Sequence, residues 1–326
     1  MTKETIDPGE VRFFSGSSNP QLAADIASYL GVPLDKTEIA RFSNDCLYIQ
    51  LGASVRSRSV FIVQSLSPPV NDHLMELFMM LDIARGAAAK EIHAVIPYFS
   101  FARSDKKDAP RISITGKLVA DLLQTAGATH VMTMMLHSPQ VHGFFSVPTD
   151  PLSTRPVFKN YFQQHDLSST IVVAADMGHA KSAARFAQDL GLPVAAGNKE
   201  RISDTEVCTS GIVGQQVRGC KRAMVYDDEI ATGGSIVELS KLLIEQDVEE
   251  IWLVCTHGVF VGGGLERLAA IPQITEIVTT DTVSISQEKR HPKLHTLSVA
   301  HIFGEAIRRN YLRQSIGDLF VFGEEL

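Results

Sequence analysis

The sequence predicts two successive α/β units, each an open, mainly parallel sheet with helices on both faces. Three observations lead there. Short apolar runs alternate with segments of helical spacing almost throughout. The alternation restarts after a proline-rich passage, VPTDPLSTRP (147–156). And 326 residues exceed what one core usually occupies.

In the first half, VFIVQS (60–65) reads as a strand. The helix after it places Leu74, Leu77, Phe78 and Leu81 at i, i+3, i+4 and i+7. IHAVIPYF (92–99) is the next strand, a helical segment carrying Leu118, Val119, Leu122 and Leu123 follows, and HVMTMML (130–136) is a third strand. Continuous apolar strands separated by helices belong to a parallel sheet buried on both faces. In the second half IVVAAD (171–176) leads into HAKSAARFAQDLG, a helix stopped by Gly191 and Pro193. LPVAAG (192–197), a polar stretch to about 210, AMVYDD, a helix after Ser235 and IWLVCTHGVF (251–260) come next. GLERLAAI and TEIVTTDTV complete the unit. The expected units are 1–152, joined by the tail from about 310 to 326, and 153–309.

A hydrophobic share of 44% supplies two cores, and a formal net charge of −7 argues against a broad nucleic-acid or membrane face. No apolar run approaches a membrane span, and the polar start MTKETIDPGE carries no signal core. Cys46, Cys208, Cys220 and Cys255 share no metal-ligand spacing, which fits reduced thiols in a cytoplasmic protein.

The stretch AMVYDDEIATGGS (223–235) sets two carboxylates, Asp227 and Asp228, just before a small-residue loop that opens a helix. Such a loop attracts anions through its free N–H groups and the helix dipole. A sugar phosphate reconciles the two: its phosphate suits the loop and its hydroxyls donate to the acids.

YDDEIATGGS resembles the phosphoribosyl-diphosphate loop shared by type I phosphoribosyltransferases and ribose-phosphate diphosphokinases (PRPP synthetases). RFSNDC (41–46), VIPYFSFARSDKK (95–107), LHSPQVHGFF (136–145), ADMGHAK (175–181) and NKERISDTEV (198–207) resemble the synthetase motifs in order and spacing. The similarity runs from about residue 11 to the end. It implies two phosphoribosyltransferase-like units and Mg²⁺-dependent transfer of diphosphate from ATP to the 1-hydroxyl of ribose 5-phosphate, giving PRPP and AMP. It also implies a homo-oligomer, a hexamer built from dimers.

By the same resemblance Lys199 and Arg201 match the catalytic Lys-x-Arg, stabilising the phosphoryl group in flight. Arg103, with Ser104 beside it, matches the ATP-phosphate arginine. Phe42 matches an aromatic that stacks on adenine from a neighbouring subunit, although an isolated phenylalanine is more often core, and Asn44 stands beside it. His137 aligns with a histidine at the Mg-ATP phosphates, and Asp176 with a metal-associated aspartate. Asp227, Asp228, Ala231, Thr232, Gly233, Gly234 and Ser235 form the ribose-5-phosphate loop. Ser54, Arg56, Arg111 and His142 fall near a family regulatory site between subunits.

The departures are specific. Met135 replaces an aspartate, Met177 a histidine, Asn44 and Cys46 stand for acids, and Ala231 for the loop's third acid; His179 is gained. Two alternatives therefore stand beside the synthetase. One is a non-catalytic regulatory subunit; the other is a phosphoribosyltransferase, which would leave Lys199, Arg201, Arg103 and His137 without a task.

Overall fold

The computed structural model describes residues 6–201 and 207–320, the side chains of 199–201 and 207–210 excepted. It divides into two compact units, Met1–Thr154 with Thr282–Ser284 and Ser298–Leu326, and Arg155–Asp281 with Ile285–Leu297. Among the described residues no helix is long and apolar enough to cross a membrane.

The first unit runs β1 (Val11–Ser15), α1 (Pro20–Leu30), β2 (Thr37–Arg41), β3 (Leu47–Leu51), β4 (Ser59–Val63), α2 (Val70–Gly86), β5 (Glu91–Ile96), α3 (Thr115–Ala126), β6 (His130–Met134) and β7 (Thr149–Leu152). Its sheet has the order β1-β4-β5-β6-β7 and every pair is parallel. The strands β2 and β3 form a separate antiparallel hairpin. Phe14, Ile62, Ala94 and Val131 face α2 and α3, where Leu77, Met80, Val119 and Leu123 close one core. Leu118 and Leu122 instead point out of α3. The alternate residues build an aromatic ladder across the other face. Phe13 pairs with Phe61, Phe61 with His93 and His93 with His130, at ring separations of 6.3, 4.3 and 5.2 Å.

α1 starts where its sequence says it should: the Asn19 side chain accepts from Leu22 N, Pro20 occupies the first turn and Gly31 closes the helix at φ +68°.

The second unit runs α4 (Arg155–Phe162), β8 (Thr170–Ala174), α5 (Ala180–Leu190), β9 (Val194–Arg201), β10 (Val207–Gly214), β11 (Arg222–Ile230), α6 (Gly234–Glu245), β12 (Glu250–Gly258), α7 (Gly264–Ala269), β13 (Ile274–Thr280) and β14 (Leu294–Leu297). The sheet order is β10-β9-β8-β11-β12-β13-β14, parallel except for β10. Leu239, Leu243, Leu265 and Leu268 pack on one face; Phe158, Phe162, Ala183 and Phe186 pack on the other. Arg155 clamps α4 to α5 through two 2.8 Å bonds to Asp189.

A last helix, α8 (Ala300–Tyr311), belongs to the first unit, ten residues before the expected join at about 310. It packs so closely on α1 that a Cβ at Gly304 would lie 2.3 Å from the Tyr29 ring. Apolar spacing marks a buried helix face but not which sheet buries it.

Candidate active site

The chain order of the second sheet reverses beside β8. From β8 it moves outward to β9 and β10, then returns to place β11 on the other side of β8 before continuing to β12. In open α/β sheets a ligand crevice forms at such a reversal, outside the carboxyl ends of the strands. Here those ends carry Asp176, just past β8, and Asp227 and Asp228 in β11.

β11 runs four residues beyond the apolar run, ending at Tyr226, that marks it in the sequence. Its pairing with β8 stops at Tyr226 and Ala174, while pairing with β12 continues to Ile230 and Gly258. Residues 227–230 thus overhang β8, and the segment after β8 turns across the overhang. Asp176 caps that turn by accepting from His179 N at 3.2 Å.

One imidazole gathers all three acids. His179 Nδ1 lies 2.9 Å from Asp176 Oδ1 and 3.5 Å from Asp227 Oδ1, and Nε2 lies 2.9 Å from Asp228 Oδ1. Burial works against the charged ring. The bonds to Asp176 and Asp228 and the charge of Asp227 outweigh it, and its pKa rises to about 11. Burial, then the adjacent Asp228 charge, pushes the Asp227 carboxyl well above the usual carboxylate range.

The loop after β11 forms the other half of the crevice. Gly233 takes φ +75° and Gly234 opens α6, so the first-turn N–H groups lack preceding helical carbonyls. A Cβ on Gly233 would meet the Leu268 side chain at 3.0 Å. The loop is held from behind: Val261 N donates to Ala231 O at 3.1 Å, and Arg267 donates to Thr232 O. Thr232 and Ser235 are exposed and Ala231 is half-buried. The residues expected to take the sugar phosphate, Asp227 to Ser235, therefore lie together at one strand end, with Asp228 turned toward His179. Lys199 and Arg201 end β9 in the same unit; their side chains lie outside the described residues.

In the first unit, Arg103 and Ser104 follow the carboxyl end of β5, and His137 follows that of β6. Arg103 is exposed. The Ser104 hydroxyl accepts from Thr115 N at 3.0 Å and donates to Ser113 O at 3.2 Å, closing the intervening loop. Ser138 donates to Asp105 Oδ2 at 2.6 Å, which ties the His137 segment to the Arg103 segment. Met135 sits at φ +41° and is buried. Phe42 and Asn44 occupy the tip of the β2–β3 hairpin. Phe42 is 58% exposed with its edge on Tyr48, and Asn44 Oδ1 accepts from Cys46 N. Arg41 pins the hairpin to α2 through Asp72 at 2.9 Å. Phe42 is thus not core.

Two groups carry little signal in the sequence. His179 is visible there only as a misplaced histidine, although an acid three residues before it is a capping spacing. The second lies past β1, where Ser17 N and Oγ donate to the buried Glu76 and Ser18 donates to Gln64. Ser-Gly-Ser-Ser (15–18) reads as a loop, and nothing in the helical spacing of α2 marks Glu76.

Residues 11–127 match the family model described as the N-terminal domain of ribose phosphate pyrophosphokinase, and residues 208–321 match the phosphoribosyl synthetase-associated domain. The chain belongs to the ribose-phosphate pyrophosphokinase family. It is 45% identical to the ribose-phosphate pyrophosphokinase of Deinococcus radiodurans over 312 residues, 94% of this chain and 97% of that one. The enzyme of the same name from Caldanaerobacter subterraneus is 42% identical over 311 residues, 95% and 98% of the two chains. The crystal structure of phosphoribosylpyrophosphate synthetase from Mycobacterium smegmatis superposes with a TM-score of 0.87 at 33% identity. That match covers 93% of this chain and 99% of the other. Likeness to a ribose-phosphate pyrophosphokinase thus spans both α/β units, more than the sugar-phosphate loop alone requires.

Proposed function

We propose that this ribose-phosphate pyrophosphokinase family member transfers diphosphate from ATP to the 1-hydroxyl of ribose 5-phosphate, releasing AMP and PRPP. The observation that carries the reading is the second unit's crevice, where an anion loop and three carboxylates meet at the reversal of strand order. Phosphoryl transfer asks a protein to align the reactants and neutralise spreading charge. The loop 231–235 takes the 5-phosphate, and the overhang acids orient the ribose hydroxyls. Lys199 and Arg201 neutralise the phosphoryl group in flight. Arg103 and His137 take the triphosphate and Phe42 the adenine, with Asn44 and Ser104 beside them.

The donor set suits magnesium. Three carboxylates around a single imidazole leave an excess of hard oxygen donors. Asp176 would hold the ion together with substrate oxygens, and His137 would stand at the phosphates. Bound there, it neutralises charge on the diphosphate. A homo-oligomer, a hexamer built from dimers, agrees with Met75, Leu118 and Leu122, exposed apolar side chains on the mutually packed α2 and α3. A cytoplasmic location agrees with the composition.

The test is formation of AMP and PRPP from ATP, Mg²⁺ and ribose 5-phosphate by the purified protein, beside Lys199→Ala. We expect turnover in the parent and a loss of about 10²–10³ in kcat in the variant, with nucleotide binding little changed. A parent inactive with every nucleoside triphosphate and divalent metal tried would sink the reading.

A further inference from the structure

Asp176, Asp227 and Asp228 share the crevice with the loop that opens α6, and a sugar phosphate would bring further negative charge to it. Acids left bare there would repel one another and the ligand. Two kinds of cation answer that repulsion: a divalent ion from solution, or a positive group built into the fold. The second unit already contains one of the latter kind.

His179 is placed by the turn that follows β8, and it grips Asp176 twice. Its backbone N–H donates to Oδ1 at 3.2 Å, and ring Nδ1 lies 2.9 Å from the same oxygen. Gly178 lets the chain turn that tightly, since a Cβ there would stand 3.1 Å from Asp176 Oδ1. The opposite edge of the ring meets Asp228, with Nε2 2.9 Å from Oδ1. Both nitrogens therefore face carboxylate oxygens. An imidazole that donates from both carries a positive charge.

The ring braces the acids without using them up. Its contacts fall on Oδ1 of each carboxylate. A carboxylate has two oxygens and about four acceptor sites, so each acid keeps capacity for a hydroxyl donor. Asp227 Oδ1 also accepts from Asp228 N at 2.9 Å, which fixes the adjacent pair. Only 13% of the His179 side chain is exposed, against 25% for Asp176, so the ring acts from behind that acid. A solution cation would have to bind before it could arrange these acceptors. The imidazole is part of the chain and arranges them before any ligand arrives, which lowers the ordering cost of binding.

We infer that His179 is a positioning residue for ribose 5-phosphate, holding the overhang acids as a divalent ion otherwise would, so that the sugar phosphate binds without metal. The inference rests on the proposed reaction, in which the loop 231–235 takes the 5-phosphate and the acids take the ribose hydroxyls. The metal requirement then falls on the triphosphate alone.

Calorimetry with ribose 5-phosphate alone tests it, on the full-length parent and on His179→Gln, in EDTA and across a magnesium series. The parent should bind in EDTA, with an affinity that changes less than about threefold when Mg²⁺ is added. In His179→Gln the affinity in EDTA should fall about tenfold or more, and Mg²⁺ should recover most of the loss. The parent's magnesium series decides the matter even where His179→Gln fails to fold. Parent binding that requires Mg²⁺, or strengthens about tenfold with it, overturns the inference and leaves the proposed reaction standing. An affinity loss in His179→Gln that is equal with and without Mg²⁺ also overturns it, because a merely structural role would be blind to the metal. So does an unchanged affinity in EDTA. A parent that binds no ribose 5-phosphate under any of these conditions overturns both the inference and the reading of the crevice as a sugar-phosphate site.

Discussion

His179 Nε2 lies 2.9 Å from Asp228 Oδ1 while Nδ1 of the same ring lies 2.9 Å from Asp176 Oδ1, so a single side chain joins the turn after β8 to the overhang of β11. The ring is the counter-charge of three acids that the sheet topology forces together. Removing it should leave them facing one another. In metal-free protein, His179→Gln should lower unfolding stability by about 3–5 kcal/mol, the usual range for breaking a buried pair. Asp228→Asn in that background should restore part of the loss, with a coupling of about 1–3 kcal/mol in urea melts. If Asp228→Asn costs the same in both backgrounds, His179 is not the counter-charge.

Phe42 offers a cleaner separation of folding from function. Its ring is exposed at the hairpin tip and touches Tyr48 by an edge, so truncation opens no cavity. Phe42→Ala should change the melting temperature by less than about 2 °C. Base stacking on an aromatic ring contributes about 1–3 kcal/mol, so KM for ATP should rise roughly 5- to 150-fold with kcat less affected. Steady-state kinetics over an ATP series decides it; an unchanged KM would remove Phe42 from the nucleotide site.

Much of this architecture is legible in the residues. Continuous apolar strands and interposed helices mark both parallel sheets, and the Asp227–Ser235 segment lies where its charge and glycines say it should. The length of β11 is not legible, because Asp227 and Asp228 end its apolar character while its ladder with β12 continues. Nor is the owner of α8, since its buried face fits either sheet equally well in sequence. His179 escapes because its meaning depends on strand order, which places β8 beside β11 although some fifty residues separate them. Glu76 escapes for a related reason: its partners Ser17 and Gln64 come from the ends of two other elements.

Gly233 tests the loop. At φ +75° a side chain is strained, and a Cβ would press on Leu268 at 3.0 Å. Gly233→Ala should cost about 1–3 kcal/mol and shift the N–H groups that receive the phosphate. Ribose 5-phosphate affinity should drop at least tenfold while ATP affinity holds, as calorimetry with each ligand separately would show. Equal losses for both ligands would mean that the substitution damages the fold rather than the loop.

Glu305 should make the first unit acid-sensitive. Hydrogen bonds from Arg308 at 2.7 and 2.9 Å, helped by Arg309 and opposed by burial, hold its carboxyl at about 2, below the ordinary 4.5. Tyr29 of α1 also donates to it, so the charge helps fix α8 on α1. A depressed carboxyl stabilises the fold fully above the unfolded value and loses that contribution as pH falls from about 4.5 towards 2. Arg308 and Arg309 keep their charge throughout, and His301 on the same helix, lowered by burial, is common to parent and variant and so cancels in their difference. Allowing for solvent screening, the loss is about 1–2 kcal/mol. In Glu305→Gln that slope should disappear: the parent should be more stable than the variant at pH 6, and the gap should narrow below about pH 4.5 and nearly close at about pH 2 in urea titrations. A gap of the same size at pH 2 as at pH 6 would mean that Glu305 acts through packing, with its charge irrelevant to the α1–α8 contact.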